Sequence, residues 1–137
     1  MLYMLDTNIC IFLLGKKKHF YFNRFEELQT KGSNKIAIST IVLAELQYGI
    51  SNSQRQEQNQ SDLNILLSKF EILPYSAECT YFYGKIRASL KKAGCVIGGN
   101  DLLIASHAIA EDATLITNNL GEFQRVDGLA LEYWEQC

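Results

Sequence analysis

Three carboxylates each interrupt an apolar stretch: Asp6 in YMLDTNI, Glu45 in IVLAELQY and Asp101 in GGNDLLIAS. Burying a carboxylate among apolar neighbours is costly unless its charge is compensated. A hard divalent cation with oxygen ligands compensates it, and Mg²⁺ typically takes one or two carboxylates and fills the rest of its shell with water. Such a cation can acidify a bound water and neutralise charge developing on a substrate. Plainer readings exist for each residue taken alone. Asp6 and Asp101 can cap helices, and Glu45 can be a helix-surface residue. What these do not explain is why all three fall at one edge of the predicted architecture.

That architecture follows from the apolar pattern. Met1 to Leu5 reads as a short strand covered on both faces, because it is apolar without alternation. Thr7 or Asn8 caps the next helix and Gly15 ends it. Residues 16–29 read as a loop entering a second helix. Lys35 to Ser39 is the second strand, Thr40 caps a helix through Ile41 to Tyr48, and Gly49 stops it. Ser51 to Ser61 has no apolar face and is either flexible or the solvated start of a helix whose face is Leu63, Leu66, Leu67 and Phe70. Glu71 to Tyr75 is a third strand with Pro74 near its end. Ser76 caps a long helix with the stripe Cys79, Phe82, Tyr83, Ile86, Leu90 and Ala93. After a loop at Val96 to Asn100 come an apolar helix at Asp101 to Glu111 and strands at Thr114 to Thr117 and Leu129 to Tyr133. Alternating strands and helices give an α/β fold with a parallel sheet of about five strands covered on both faces. Residues 1–137 form a single domain on this reading. In such sheets the functional site lies at the carboxyl ends of the strands. Asp6 directly follows strand one, Glu45 lies a turn or two beyond strand two, and Asp101 opens the helix before strand four.

Other residues reach the same edge. Asn119 follows strand four and is a candidate for a metal-held water or a phosphate oxygen, although as a turn residue it needs no function. Glu122 is a further candidate, with surface exposure the plainer reading. Thr7 and Ser39 either donate a hydroxyl to the site or, more commonly for such residues, orient loops. His19 and His107 read as structural, since His107 lies six residues after Asp101 and off its helix face. There is no Ser–His–Asp arrangement, GxxxxGK[ST] loop or GxGxxG turn. Gly98-Gly99 reads as a turn that allows close approach before Asp101.

Composition limits the partners. The net charge of −2 argues against broad, nonspecific coating of nucleic acid, which needs a basic surface. It leaves room for a nuclease that grips phosphates with local patches, for which Lys16 to Lys18, Arg24, Lys85, Arg87, Lys91 and Lys92 are candidates. Cys10, Cys79, Cys95 and Cys137 show no metal-finger spacing and read as buried free thiols of a reducing cytosol. The apolar run Ile9 to Leu14 is too short to span a membrane, and its lysines follow it, unlike those of a secretory signal.

Four segments in order, MLDTNICIFLL (4–14), ISTIVLAELQYGI (38–50), IGGNDLLIASHAIA (97–110) and TLITNNLGEFQRVDGLALEYW (114–134), resemble the successive motifs of PIN-domain toxins of the VapC type. The resemblance spans nearly the whole chain. It implies a three-layer α/β/α fold and an Mg²⁺- or Mn²⁺-dependent endoribonuclease that leaves 3′-hydroxyl and 5′-phosphate ends. It places Asp6, Glu45 and Asp101 in the family's acidic cluster, with Asp6 and Asp101 as direct metal ligands and Glu45 acting through water. Asn119 stands at a fourth position that is often Asp, which argues for one tight cation rather than two. Homodimers, a VapB-type antitoxin and structured RNA, often transfer RNA, are further implications. A haloacid-dehalogenase phosphatase is the rival enzyme, but that family wants a second Asp where Asn8 stands. The other rival is a silent PIN-like binding module, which has no need of clustered carboxylates.

Overall fold

A computed structural model describes residues 1–15 and 19–134; the predicted basic run Lys16 to Lys18 and Cys137 lie outside the described residues. Five strands form one sheet: β1 (Leu2–Leu5), β2 (Lys35–Ser39), β3 (Glu71–Leu73), β4 (Thr114–Thr117) and β5 (Ala130–Tyr133). Their order is β3-β2-β1-β4-β5 and every pairing is parallel. The first strand is therefore the central one. Its apolar sequence is explained by that place: Met4 and Leu5 are buried, as are Ile36, Ala37 and Ile38 on β2 and Leu115 and Ile116 on β4.

Helices cover both faces: α1 (Thr7–Leu14), α2 (His19–Thr30), α3 (Thr40–Ser51), α4 (Gln56–Leu67), α5 (Ala77–Lys92), α6 (Gly99–Ala110) and the short α7 (Leu120–Phe123). The predicted three-layer α/β/α arrangement is thus what forms. Several local expectations are corrected. Asp6, not Thr7 or Asn8, caps α1, accepting the Thr7 N–H, and Ser39, not Thr40, caps α3, accepting the Ile41 N–H. The α3 helix runs through Gly49 to Ser51, because nothing there forces a left-handed turn; among the described glycines only Gly94 and Gly128 have positive φ. Residues from Gln56 onward are the solvated start of α4. Ser76 occupies the cap position of α5, but its hydroxyl faces the Cys79 thiol instead of a backbone N–H. On α5, Cys79 and Leu90 are buried, whereas Ala93 is exposed. Cys95 is exposed too, contrary to the reading of all four thiols as buried.

Candidate active site

The parallel order brings the ends of β1, β2 and β4 side by side, and three carboxylates gather at that edge of the sheet. Asp6 is one residue past β1, and its backbone N–H bonds to the Ile116 carbonyl at 2.9 Å, which locks it to β4. It is only 4% exposed. Its two oxygens are held differently. One accepts the Thr7 N–H at 2.8 Å; the other accepts the Thr117 hydroxyl at 2.9 Å. Thr117 is the fully buried last residue of β4, and its Oγ1 also accepts the Asn119 N–H at 2.9 Å. Glu45 lies on α3 and accepts the Thr7 hydroxyl at 2.7 Å. The two hydroxyl residues considered from the sequence thus divide the roles: Thr7 reaches the carboxylates, and Ser39 orients the start of α3.

Asp101 is the third residue of α6, because that helix begins two residues earlier than the sequence suggests. Its carboxyl is hydrogen-bonded to Glu122 of α7. Glu122 in turn accepts the Gly98 N–H at 3.3 Å. Both carboxylates lie within about 4 Å of where a Cβ on Gly98 would stand, so this glycine packs directly beside the pair. The fourth acidic group in the cluster therefore comes from Glu122, three residues beyond Asn119. Asn119 takes the cap position of α7 and contributes its backbone N–H to Thr117, without a side-chain capping bond. In sequence, Glu122 carries a single signal, an acid in the first turn after strand four.

Electrostatics separate this cluster from an ordinary polar surface. Burial pushes the Asp101 carboxyl up to about 8, with the hydrogen bond to Glu122 and the charges of Asp6, Glu122 and Glu45 adding to it. Burial also raises Asp6; the Thr117 and Thr7 hydrogen bonds oppose this, and the Glu45 charge adds to it. Glu122 is lowered, first by the hydrogen bond from Asp101 and further by the Gly98 N–H and the charge of Arg125. Among the described residues no ion pair reaches Asp6, Glu45 or Asp101.

Comparison with known proteins decides what this geometry belongs to. The sequence profile of the PIN domain matches residues 3–129. Ribonuclease VapC2 of Rickettsia felis is 57% identical over 99% of this chain and all of its own length. The chain belongs to the VapC family of PIN-domain ribonucleases. The Shigella flexneri tRNA(fMet)-specific endonuclease VapC is 39% identical, covering 96% of this chain and 97% of its own. The solved VapBC2 complex of Rickettsia felis, bound to a DNA fragment from its promoter, superposes with a TM-score of 0.93 at 56% identity, over 98% of this chain and 100% of that one.

The donors present here suit the divalent cation that PIN-domain nucleases use. They are all oxygen atoms, and burial, with the neighbouring carboxylates adding to it, favours the neutral form of Asp101, a cost that a bound cation would offset. Among the described residues no three acidic, thiol or imidazole groups close into a ready cage. Mg²⁺ requires none, since it keeps several waters. His107 is buried and bonded to Ser39, and so is not placed to serve as a general base in this cluster. Of the basic candidates, Arg24 is engaged by Glu132 and Glu27, while Lys85 and Arg87 lie over the rings of Tyr81 and Tyr83. Lys91 and Lys92 are exposed in the last turn of α5. No helix among the described residues is long and apolar enough to cross a membrane.

Proposed function

We propose that this protein is the toxin of a VapBC-type pair: a cytoplasmic, Mg²⁺- or Mn²⁺-dependent endoribonuclease, acting as a homodimer and restrained by a VapB-type antitoxin. The observation that carries this reading is the cluster of Asp6, Glu45, Asp101 and Glu122 at one sheet edge without a cationic partner for the first three. Asp6 and Asp101 would hold the cation, with Glu45 acting through a bound water. When bound, the cation supplies an acidified water and neutralises charge on the phosphoryl group. The chain's own residues do the rest. Thr117 and Thr7 fix the rotamers of Asp6 and Glu45, so that the carboxylates need not reorganise when substrate arrives. Glu122 accepts the proton of Asp101 in a hydrogen bond and so favours its neutral form, and a bound cation would have to displace that proton. Asn119, neutral beside this cluster, is available to a phosphate oxygen.

Structured RNA, with transfer RNA foremost, is the proposed substrate class. It is supported by the naming of the Shigella flexneri and Salmonella typhimurium relatives as tRNA(fMet)-specific endonucleases. The antitoxin reading is supported by the VapBC complexes among the structural neighbours and by two grooves on this chain. One, of about 410 Å³, is lined by Phe12, Leu14, Phe22 and Ile65; the other, of about 330 Å³, reaches Glu45 past Ile11 and Ile50. The grooves share Leu14 and Asp62. They suit an apolar peptide face that ends in an Arg or Lys paired with the carboxylates.

Sequencing of RNA 5′ ends after brief expression tests the reading. New 5′-phosphate ends at a few positions in transfer RNA are expected, with none from Asp6→Asn. Cleavage by purified protein that persists undiminished in EDTA would overturn the metal-dependent mechanism.

A further inference from the structure

His107 is fully buried on α6, and the chemistry above leaves it unused. Its Nδ1 lies 2.7 Å from the Ser39 hydroxyl, which is itself fully buried. That hydroxyl already accepts the Ile41 N–H at 3.0 Å, the bond that caps α3. A serine oxygen carries one proton, and Nδ1 is the acceptor that the described residues offer it. Ser39 therefore donates to Nδ1, and the ring proton sits on Nε2, which lies 3.7 Å from Glu111 on the same helix and makes no hydrogen bond among the described residues. Burial lowers the histidine pKa and keeps the ring neutral, as this pattern requires, although Glu111 opposes the shift. Tyr75 closes the arrangement. Its ring meets His107 edge-on, its hydroxyl bonds Ser106, and its N–H donates to Thr40 Oγ1 at the first residue of α3.

We propose that His107 is a positioning residue for the nuclease site: by completing the Ser39 cap it fixes the start of α3, and with it Glu45, against the helix that carries Asp101. Two carboxylates come from helices that do not follow each other in the chain, so their separation depends on what joins those helices. At the start of α3 that joint is polar and directional. An apolar side chain of similar volume would fill the space but leave the Ser39 proton without an acceptor, and the hydroxyl would turn away from Ile41 to find one. The catalytic part of this inference rests on the nuclease reading; the geometric part does not.

The test compares wild type with His107→Leu, His107→Asn, Ser39→Ala and the double variant His107→Leu/Ser39→Ala, using full-length protein, transfer RNA and Mg²⁺. His107→Leu and Ser39→Ala should each lower kcat by roughly 10–100-fold, as loss of a supporting shell does, with KM nearly unchanged. The double variant should be no worse than either single, because both remove one device. His107→Asn places an amide oxygen near the Nδ1 position and should recover most of the activity. Amide exchange at Ile41 should quicken by about tenfold or more in His107→Leu and Ser39→Ala, with α4 amides unaffected. Full activity in His107→Leu, losses that multiply in the double variant, or failure of His107→Asn to recover would each overturn the proposal. If His107→Leu does not fold, Ser39→Ala and His107→Asn decide it by the same criteria. If wild type cuts no RNA, the nuclease reading falls; unchanged Ile41 exchange in the variants would separately remove the geometric claim.

Discussion

Two clusters of acidic side chains among the described residues differ in how the charge is met. At Arg24, the guanidinium stands 3.3 Å from Glu132 and 3.8 Å from Glu27 and lies 5.5 Å over the buried ring of Trp134. Every carboxylate there has a cation. At the ends of β1, β2 and β4, Asp6, Glu45 and Asp101 have hydroxyls, backbone N–H groups and one another. The first cluster ties α2 to the end of β5 and needs nothing more. The second is a debt of negative charge held in place by neutral donors, and it is settled only from outside. Acidic residues by themselves are therefore a poor guide to a site; acidic residues held rigidly without a cation are a good one.

Breaking the unneutralised cluster should have the largest effect. Asp6→Asn should lower RNA cleavage by on the order of 10²–10³-fold or more, measured as kcat/KM on transfer RNA, with the far-ultraviolet spectrum unchanged. Thr117→Val keeps the shape but removes the hydroxyl that holds one Asp6 oxygen, and should cost roughly 10–100-fold in activity or cation affinity, read by calorimetry. Asp101→Asn should abolish cutting yet stabilise the metal-free protein. The sign follows from the proton. The folded-state pKa of Asp101 is raised from an ordinary 3.8 to about 8, so the unfolded chain ionises first as pH rises. The metal-free protein thus loses stability from this group between about pH 4 and pH 8. Asp101→Asn removes that slope, and because the carboxyl is only half-buried the gain at pH 8 should be about 1 kcal/mol in a denaturant titration. A loss of stability would show that burying this carboxyl does not weigh on the metal-free fold. The smallest effect belongs to the neutralised cluster: Arg24→Met should cost about 1 kcal/mol or less and leave cleavage at the wild-type rate. A large loss of cleavage would make Arg24 a substrate contact after all.

The fold was legible because strand-forming and helix-forming periods are local. Residues 114–117 read as a strand and are β4, and the parallel sheet followed from the alternation of elements. The placement of Asp6, Glu45 and Asp101 at one edge was legible for the same reason, since it follows from where strands end. What was not legible depends on side chains meeting across long stretches of chain. Thr117, like Asn118 and Asn119, reads as reaching the edge that holds the carboxylates, but its bond to Asp6 is hidden until β4 is known to lie against β1. Glu122 reads as a surface acid until α7 folds it against Gly98 and Asp101. Helix ends were misplaced by a residue or two where two hydroxyl residues adjoin, as at Ser39 and Thr40, because either can cap and only packing chooses. The buried place of His107 beside Ser39 was likewise beyond a reading of its own helix.

The position of β1 in the middle of the sheet has a consequence in time. That strand is flanked by β2 and by β4, and the Asp6 oxygen held by Thr117 waits for a donor 111 residues further along. A ribosome emits the chain from its amino end, and a contact between distant residues cannot form before the later one has emerged. The nascent polypeptide consequently carries Asp6, and then Glu45 and Asp101, for much of its synthesis without a working arrangement of them. Thr117 and Glu122 can join Asp6, Glu45 and Asp101 only when β4 and α7 have left the exit tunnel, so every other part of the cluster is made before the cluster itself is complete.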